Sequence, residues 1–149
     1  MQIRKMKTGD HAEIMKIAKA LPEWFTKDGV RQIRYAIKRQ PGLVAGENGK
    51  VTGFLTYRSW KHIALMTWIG VDPSKRKKGT GRALLKEMEK IMKKKGIKKI
   101  KVSTLARTVR YKPYEETRKF YEKTGFRSVR IDKNFYKKSG DREILAKRI

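Results

Sequence analysis

Cysteine is absent from this 149-residue chain, which excludes a disulfide framework and any thiol chemistry supplied by the protein itself. An unbroken apolar run of the about 18 residues that a membrane helix needs is also missing. The opening residues, MQIRKMKTGD, have no apolar centre of the kind a signal peptide carries. Both features point to a soluble, cytoplasmic protein with no membrane partner. The two histidines, His11 and His62, have no metal-ligand spacing, so no metal site is expected. Repeats, linkers and low-complexity tracts are lacking as well. The length suits one ordinary domain spanning residues 1–149, and 38% apolar residues suffice for one core.

Acidic residues are scarce. Fourteen Asp and Glu stand against forty Lys and Arg, a formal charge of +26. A field of that sign attracts polyanions over long range at low salt. RNA, the ribosome or an acidic protein are plausible partners. The competing explanation is a solvated lysine-rich surface of the heat-adapted kind, although that signal enriches Glu together with Lys.

What the chain does have is one organised stretch, Val71–Leu85, reading VDPSKRKKGTGRALL. An apolar run, Ile63–Val71, ends abruptly at Asp72-Pro73. A helical pattern follows, with Leu84, Leu85, Met88, Ile91 and Met92 on one face. Between them Arg76, Gly79 and Gly81 are spaced R-x-x-G-x-G. A helix start leaves free backbone N–H groups and a partial positive charge, which suit a phosphate. Glycine lets the backbone approach a ligand closely, and Arg76, Lys77, Lys78 and Arg82 add full charges. A P-loop would need G-x-x-x-x-G-K followed by Ser or Thr, and that string does not occur. The dinucleotide fingerprint would need a third glycine and a ribose-binding acid about 20 residues on, and both are missing. The remaining reading without a ligand is a basic loop between a strand and a helix.

The rest of the chain reads as short alternating elements. Gln2–Met6 is a strand, and Asp10 with Glu13 forms a D-x-x-E box opening a helix that Pro22 ends. Its apolar face is Ile14, Ile17, Ala18 and Leu21. Asp28 caps a second helix running to about Arg39, with Val30, Ile33 and Ile37 inward, and Pro41-Gly42 stops it. Leu43–Glu47 and Lys50–Tyr57 are strands joined by Asn48-Gly49, the favoured type I′ turn. The helix Thr80–Lys95 is closed by Gly96, and Ile97–Leu105 is the next strand. Strand, helix and strand here make a right-handed crossover, so Ile63–Val71 and Ile97–Leu105 should run parallel. A basic connection, Arg107–Pro113, leads to a helix Tyr114–Thr124. A final hairpin pairs Phe126–Phe135 with Glu143–Ile149 through Ser139-Gly140.

Two motifs together resemble the GNAT superfamily of acetyl-CoA-dependent N-acyltransferases. Its pyrophosphate loop has Arg or Gln, then x-x-G-x, then Gly or Ala, after a strand ending in a V-x-P-like turn. Here those are Val71, Pro73, Arg76, Gly79 and Gly81. A later helix ends in F-Y-E-K-x-G-F, here Phe120–Phe126. The resemblance implies an α/β (α+β) fold with a mixed, mostly antiparallel seven-stranded sheet flanked by four helices. The strand and helix order above matches it. It also implies acetyl-CoA as co-substrate and acetyl transfer to an amine: a protein N-terminus or lysine, an aminoacyl-tRNA or a small amine. The pantetheine arm would lie between the splayed fourth and fifth strands, against Ile69, Gly70 and Val71, with the Ile69 N–H facing the acetyl oxygen. The pyrophosphate would lie on Arg76, Lys77, Lys78, Gly79, Thr80, Gly81 and Arg82. Tyr121 matches the family's general acid, a phenol that stays protonated at neutral pH; its role without a ligand is as a packing aromatic beside Phe120.

The chain departs from the family at two places. Leu65 and Thr67 occupy the usual positions of a general base and cannot serve as one. Glu23, Glu115, Glu116 or His62 would then act through water, or the amine arrives neutral. Tyr114 stands where many relatives have an asparagine that contacts the cofactor. Trp24 and Phe25 fall in the segment that covers the family's acceptor site, or they staple the second helix to the core. The runner-up reading is a catalytically degenerate GNAT-fold module that binds nucleic acid or the ribosome. The acceptor is not legible here, and a homodimer is left open.

Overall fold

The computed structural model describes residues 1–149 apart from the side chain of Ser139, so that part of the Ser139-Gly140 turn lies outside the described residues. The chain runs β1 (Gln2–Lys5), α1 (His11–Lys19), α2 (Lys27–Arg39), β2 (Gly42–Glu47), β3 (Lys50–Trp60) and β4 (Ile63–Val71). It continues with α3 (Thr80–Lys94), β5 (Lys99–Leu105), α4 (Lys112–Lys123), β6 (Arg127–Asp132) and β7 (Arg142–Arg148). The seven strands form one sheet in the order β1-β2-β3-β4-β5-β7-β6. All neighbours are antiparallel except β4 and β5, which are parallel as the crossover requires. Seven strands, four helices and this order are the architecture that the resemblance implies.

Local chemistry places the elements. Asn48 and Gly49 both have positive φ, 52° and 78°, so the β2–β3 hairpin closes on the expected tight turn. Gly96, at φ 79°, ends α3, and the Ile97 amide reaches back to the Met92 carbonyl at 3.0 Å. The expected D-x-x-E box at α1 does not form. Asp10 instead takes two 2.8 Å bonds from the Arg4 guanidinium and one from the Lys7 amide, while Glu13 accepts the Val51 amide at 2.8 Å. Strands β1 and β3 offer these carboxylates stronger or less solvated donors than the helix's own first turn, so the acids tie α1 to the sheet. The Arg4 hydrogen bond holds the Asp10 carboxyl below its usual range. The cap of α2 is likewise Thr26, whose Oγ1 accepts the Gly29 N–H at 3.0 Å, and Asp28 sits within the first turn, bonded to Arg31 and Gln32.

Two cores sandwich the sheet. On one face α1 and α2 bury Ile14, Ile17, Ile33 and Ile37 against Val44, Val51 and Phe54. On the other, α3 and α4 bury Leu84, Leu85, Met88, Met92 and Tyr121 against Leu55, Ile100, Val102 and Leu145. Among the described residues no helix is long and apolar enough to cross a membrane.

Candidate active site

The sheet opens between its two parallel strands. β4 and β5 pair only from Ile63 to Leu65, opposite Lys99 to Lys101. Just beyond, β4 carries a bulge: Thr56 pairs with Trp68 and Tyr57 with Met66, leaving Thr67 as the extra residue. Its hydroxyl lies 2.7 Å from the Thr56 hydroxyl and donates to Gln40 Oε1 at 2.5 Å, which fixes the bulge. Past Thr67, β4 follows β3 while β5 follows β7. The gap between them is part of a cleft of about 750 Å³, with Ile69, Gly70 and Val71 on one wall and Ser103, Thr104 and Tyr121 on the other.

Backbone polarity in this gap follows from one hydrogen bond. The Asp72 amide donates to the Thr52 carbonyl of β3 at 2.9 Å. Amides alternate sides along a strand, so that of Gly70 also faces β3, whereas those of Ile69 and Val71 face the side that β5 has left. Gly70 itself is required by packing, since a Cβ there would stand 2.8 Å from the Phe54 ring.

At the mouth, the Arg76–Arg82 loop turns into α3. Lys77 and Gly79 have left-handed backbones, φ 62° and 84°. Gly79 is the N-cap and has no side chain to satisfy the first turn. The first helical bond is Ala83 N–H to the Gly79 carbonyl at 2.9 Å, so the amides of Thr80, Gly81 and Arg82 have no acceptor within the helix. Gly81 lies under α4, where a Cβ would come 3.3 Å from the Phe120 ring. Arg76, Lys77, Gly79, Thr80, Gly81 and Arg82 all line the cleft, and Lys78 does not. Arg76 points inward, its guanidinium 4.4 Å from the Trp24 ring centre and 3.2 Å from Glu116.

Tyr121 stands at the inner wall, 5% exposed, between Phe120 and Phe126 at ring separations of 5.6 and 5.5 Å. Burial, then the neighbouring Tyr114, pushes its phenol well above the ordinary tyrosine range, so it is a proton donor throughout neutral pH. Beside it Thr104 is 4% exposed, and its Oγ1 has no hydrogen-bond partner among the described residues. A buried hydroxyl without a partner is uncommon, and this one belongs to a residue that lines the cleft. The sequence gives a signal for it that is easily passed over: Ile100, Val102 and Thr104 share the inward face of β5 at period two.

Tyr114 lines the cleft too, but its hydroxyl is already used, donated to the Trp24 carbonyl. Burial, then Tyr136 and Tyr111, raise it to about 12. Tyr111 donates to the Glu23 carbonyl at 2.6 Å, and Trp24 Nε1 donates to the Pro113 carbonyl and to Thr117 Oγ1 at 3.0 and 3.1 Å. The α1–α2 segment is thus clamped to the start of α4 across one end of the cleft. Phe25 packs edge-on against Trp68, 5.8 Å away. Trp24 and Phe25 therefore staple the segment, as one of their two readings has it, and they also line the cleft.

Of the four candidate bases, Glu116 alone lines the cleft, and it is paired with Arg76. His62 precedes β4, seven residues and roughly 20 Å of strand from Ile69. Glu23 and Glu115 are exposed outside the cleft lining. Unforeseen from the sequence are buried Glu143, which accepts the Arg107 amide at 3.0 Å and its guanidinium at 2.7 Å, and buried Arg118, which donates to the Leu105 carbonyl at 2.8 Å. They fix the connection between β5 and α4, the elements that carry Thr104 and Tyr121 on one wall of the gap. No group of three His, Cys, Asp or Glu is placed to hold a metal among the described residues.

The acetyltransferase (GNAT) domain family matches residues 38–128, which include the bulge, the loop and Tyr121. The chain belongs to the GNAT family. Solved structures agree on the fold of this GNAT domain. A protein assigned to the GNAT acetyltransferases from Desulfovibrio desulfuricans superposes with a TM-score of 0.88 at 22% identity, covering 99% of this chain and 98% of the other. The ribosomal-protein alanine N-acetyltransferase of Escherichia coli gives 0.81 at 22% identity over 99% and 93%. The PaiA N-acetyltransferase of Thermoplasma acidophilum, solved with coenzyme A, gives 0.75 at 21% identity over 100% of both chains. Among curated proteins none matches this GNAT domain by sequence.

Proposed function

We propose that this GNAT domain transfers the acetyl group of acetyl-CoA to an amine carried on a neutral or anionic molecule. The observation that carries the reading is the gap itself: Tyr121 and the orphan hydroxyl of Thr104 on one wall, the free amides of Ile69 and Val71 on the other. Free strand amides suit the amide groups of a pantetheine arm. The uncapped α3 start, with Arg76, Lys77 and Arg82, suits its pyrophosphate. The residues present therefore fit acetyl-CoA.

In the reaction the amine lone pair attacks the thioester carbonyl carbon, and negative charge develops on the carbonyl oxygen. The Ile69 N–H is a preorganised donor for that charge. The C–S bond then breaks, and the Tyr121 hydroxyl gives its proton to the departing sulfur. The ammonium proton leaves to water, which afterwards restores Tyr121. Leu65 has no proton-accepting atom, and the Thr67 hydroxyl is committed to Thr56 and Gln40. Glu116 is held by Arg76, so the amine enters as the free base.

Charge narrows the acceptor. Lys75, Arg76, Lys77, Arg82, Lys119 and Lys123 line the cleft against one carboxylate, Glu116. With Arg76, Lys77 and Arg82 engaged by the pyrophosphate, Lys119 and Lys123 still disfavour a polycationic amine over a peptide N-terminus or an aminoacyl ester on RNA.

Thr104→Val tests the cofactor's place. Valine keeps the shape and removes a hydroxyl that has no partner in the free protein. The melting temperature should hold or rise, while calorimetry should show acetyl-CoA binding weakened roughly threefold to tenfold, the range of one hydrogen bond. Undiminished affinity would place the cofactor outside the gap.

A further inference from the structure

The helices cover the sheet unequally. The core under α1 and α2 draws its strand residues from β2, β3 and β4, and none from β5, β6 or β7. The opposite face of those last strands is covered, because Ile100, Val102 and Leu145 join α3 and α4. One face of β5, β7 and β6 therefore carries no helix, and since Ile144 on that face is buried, its open part is the end that holds Lys99, Lys101, Arg127 and Arg148.

Register fixes what stands on it. Arg58 pairs with Leu65, Leu65 with Lys101, Lys101 with Ala146, and Ala146 with Arg127. The adjacent row on the same face reads Trp60, Ile63, Lys99 and Arg148. Paired residues share a face, and those flanking them along the strands, Tyr57, Ala64, Ile100 and Leu145, belong to the core on the other side. Arg58, Lys99, Lys101, Arg127 and Arg148 thus form a strip, with Arg58, Lys101 and Arg127 each two strands, about 10 Å, apart. None of the five has an ion-pair partner among the described residues. Asp132, farther along the same face, is taken by Arg130 and Arg142. Lys147 turns the other way, to Glu89 on α3.

Aromatics border the strip. Trp60 at its β3 end is 72% exposed, and Phe135 and Tyr136 of the β6–β7 connection are 49% and 36% exposed. At its upper edge Ser103, an exposed residue of this face, also lines the cleft. Unpaired cations spaced across a sheet and bordered by exposed rings suit a phosphate backbone whose unstacked bases find aromatic faces. The Tyr136 hydroxyl engages that of Ser103, and this pair at the edge of the strip is the polar partner offered to a 2′-OH.

We propose that this open part of the face is a docking surface for single-stranded RNA, leading to the edge of the cleft. The surface is independent of the acetyl-transfer reading. Binding of a labelled oligouridylate, followed by anisotropy in the presence of saturating coenzyme A, should be steeply salt-dependent. Five phosphates neutralised give a log–log slope of about −3.5. The triple change Lys99→Gln, Lys101→Gln and Arg148→Gln should flatten that slope by about two. Removing equal charge from the solvent face of α3, by Lys86→Gln, Lys90→Gln and Lys93→Gln, should leave it nearly unchanged. Trp60→Ala should weaken binding about fivefold or more with the slope intact, because a stacking contact is lost. Oligothymidylate of equal length should bind more weakly. A slope near zero, equal loss in the two triple variants, equal binding of the DNA, or equal binding of polyglutamate would each overturn the proposal.

Discussion

Tyr121→Phe is expected to lower kcat by about 10²-fold or more while the dissociation constant for acetyl-CoA barely moves. The change removes one oxygen and leaves the ring between Phe120 and Phe126, where its packing is unaltered. What is lost is a proton that matters only as the C–S bond breaks, so the effect falls on the transition state and not on ground-state binding. Burial raises the phenol, which makes it a weaker acid than free tyrosine but keeps it protonated at every working pH. A thiolate leaving in a dry gap is basic enough to take that proton. Pre-steady-state rates measured beside calorimetry separate the two quantities. An unchanged rate would mean that water protonates the sulfur and that Tyr121 only packs.

The second large effect is expected at the loop. Gly79→Asp and Gly81→Asp should each weaken acetyl-CoA binding by about 10²-fold or more, because a carboxylate within about 4 Å of a phosphate opposes binding by about 4 kcal/mol at the effective dielectric of a protein surface. The two positions differ in mechanism, and controls resolve them. At Gly79 nothing lies within 4 Å of a Cβ, and φ is 84°, a conformation that asparagine tolerates. Gly79→Asn should therefore retain most of the affinity, leaving charge as the cause. At Gly81 a Cβ meets Phe120 at 3.3 Å, so Gly81→Ala should already disturb the contact between α3 and α4. Full affinity in both aspartate variants would move the pyrophosphate away from this loop.

These effects concentrate where the sequence is most legible. Gly79 and Gly81 are readable because a left-handed cap favours glycine and a ring-packed helix start leaves little room for a Cβ, and the strand before them ends at a proline. Tyr121 is readable through its neighbours Phe120, Gly125 and Phe126, which pack one face of α4 and turn the chain back into β6. The β2–β3 pairing follows from the hairpin at Asn48-Gly49, and the parallel β4–β5 pairing from the β4–α3–β5 crossover. The α1 and α2 caps are less legible, because Asp10 and Glu13 have partners on β1 and β3 that no local pattern reveals. The bulge at Thr67 escapes the alternation rule altogether. It is fixed by Gln40, at the far end of α2, and an interruption of one residue looks from the sequence like an ordinary strand. Lys78 shows the limit of reading charge along a loop: it shares a basic run with Arg76 and Lys77, yet the left-handed turn at Lys77 carries it out of the cleft lining.

Glu143 and Arg118 are invisible for a different reason. A buried carboxylate among β7 residues looks like an exposed position in a half-buried strand until Arg107 is seen beside it. Both residues act on the connection from β5 to α4.

Transfer itself is the most direct measurement. Acetyl-CoA labelled in its acetyl group is incubated with the protein and a panel of peptides, aminoacyl-RNAs and small amines, and the label is followed by mass spectrometry. The expected result is label on the amine of one acceptor class, with coenzyme A thiol released in equal amount, and with the rate depressed in the Tyr121→Phe variant. Coenzyme A binding at full affinity with no label transferred above the protein-free rate to any acceptor in the panel would contradict catalysis, and would identify the chain as a GNAT-fold binding module.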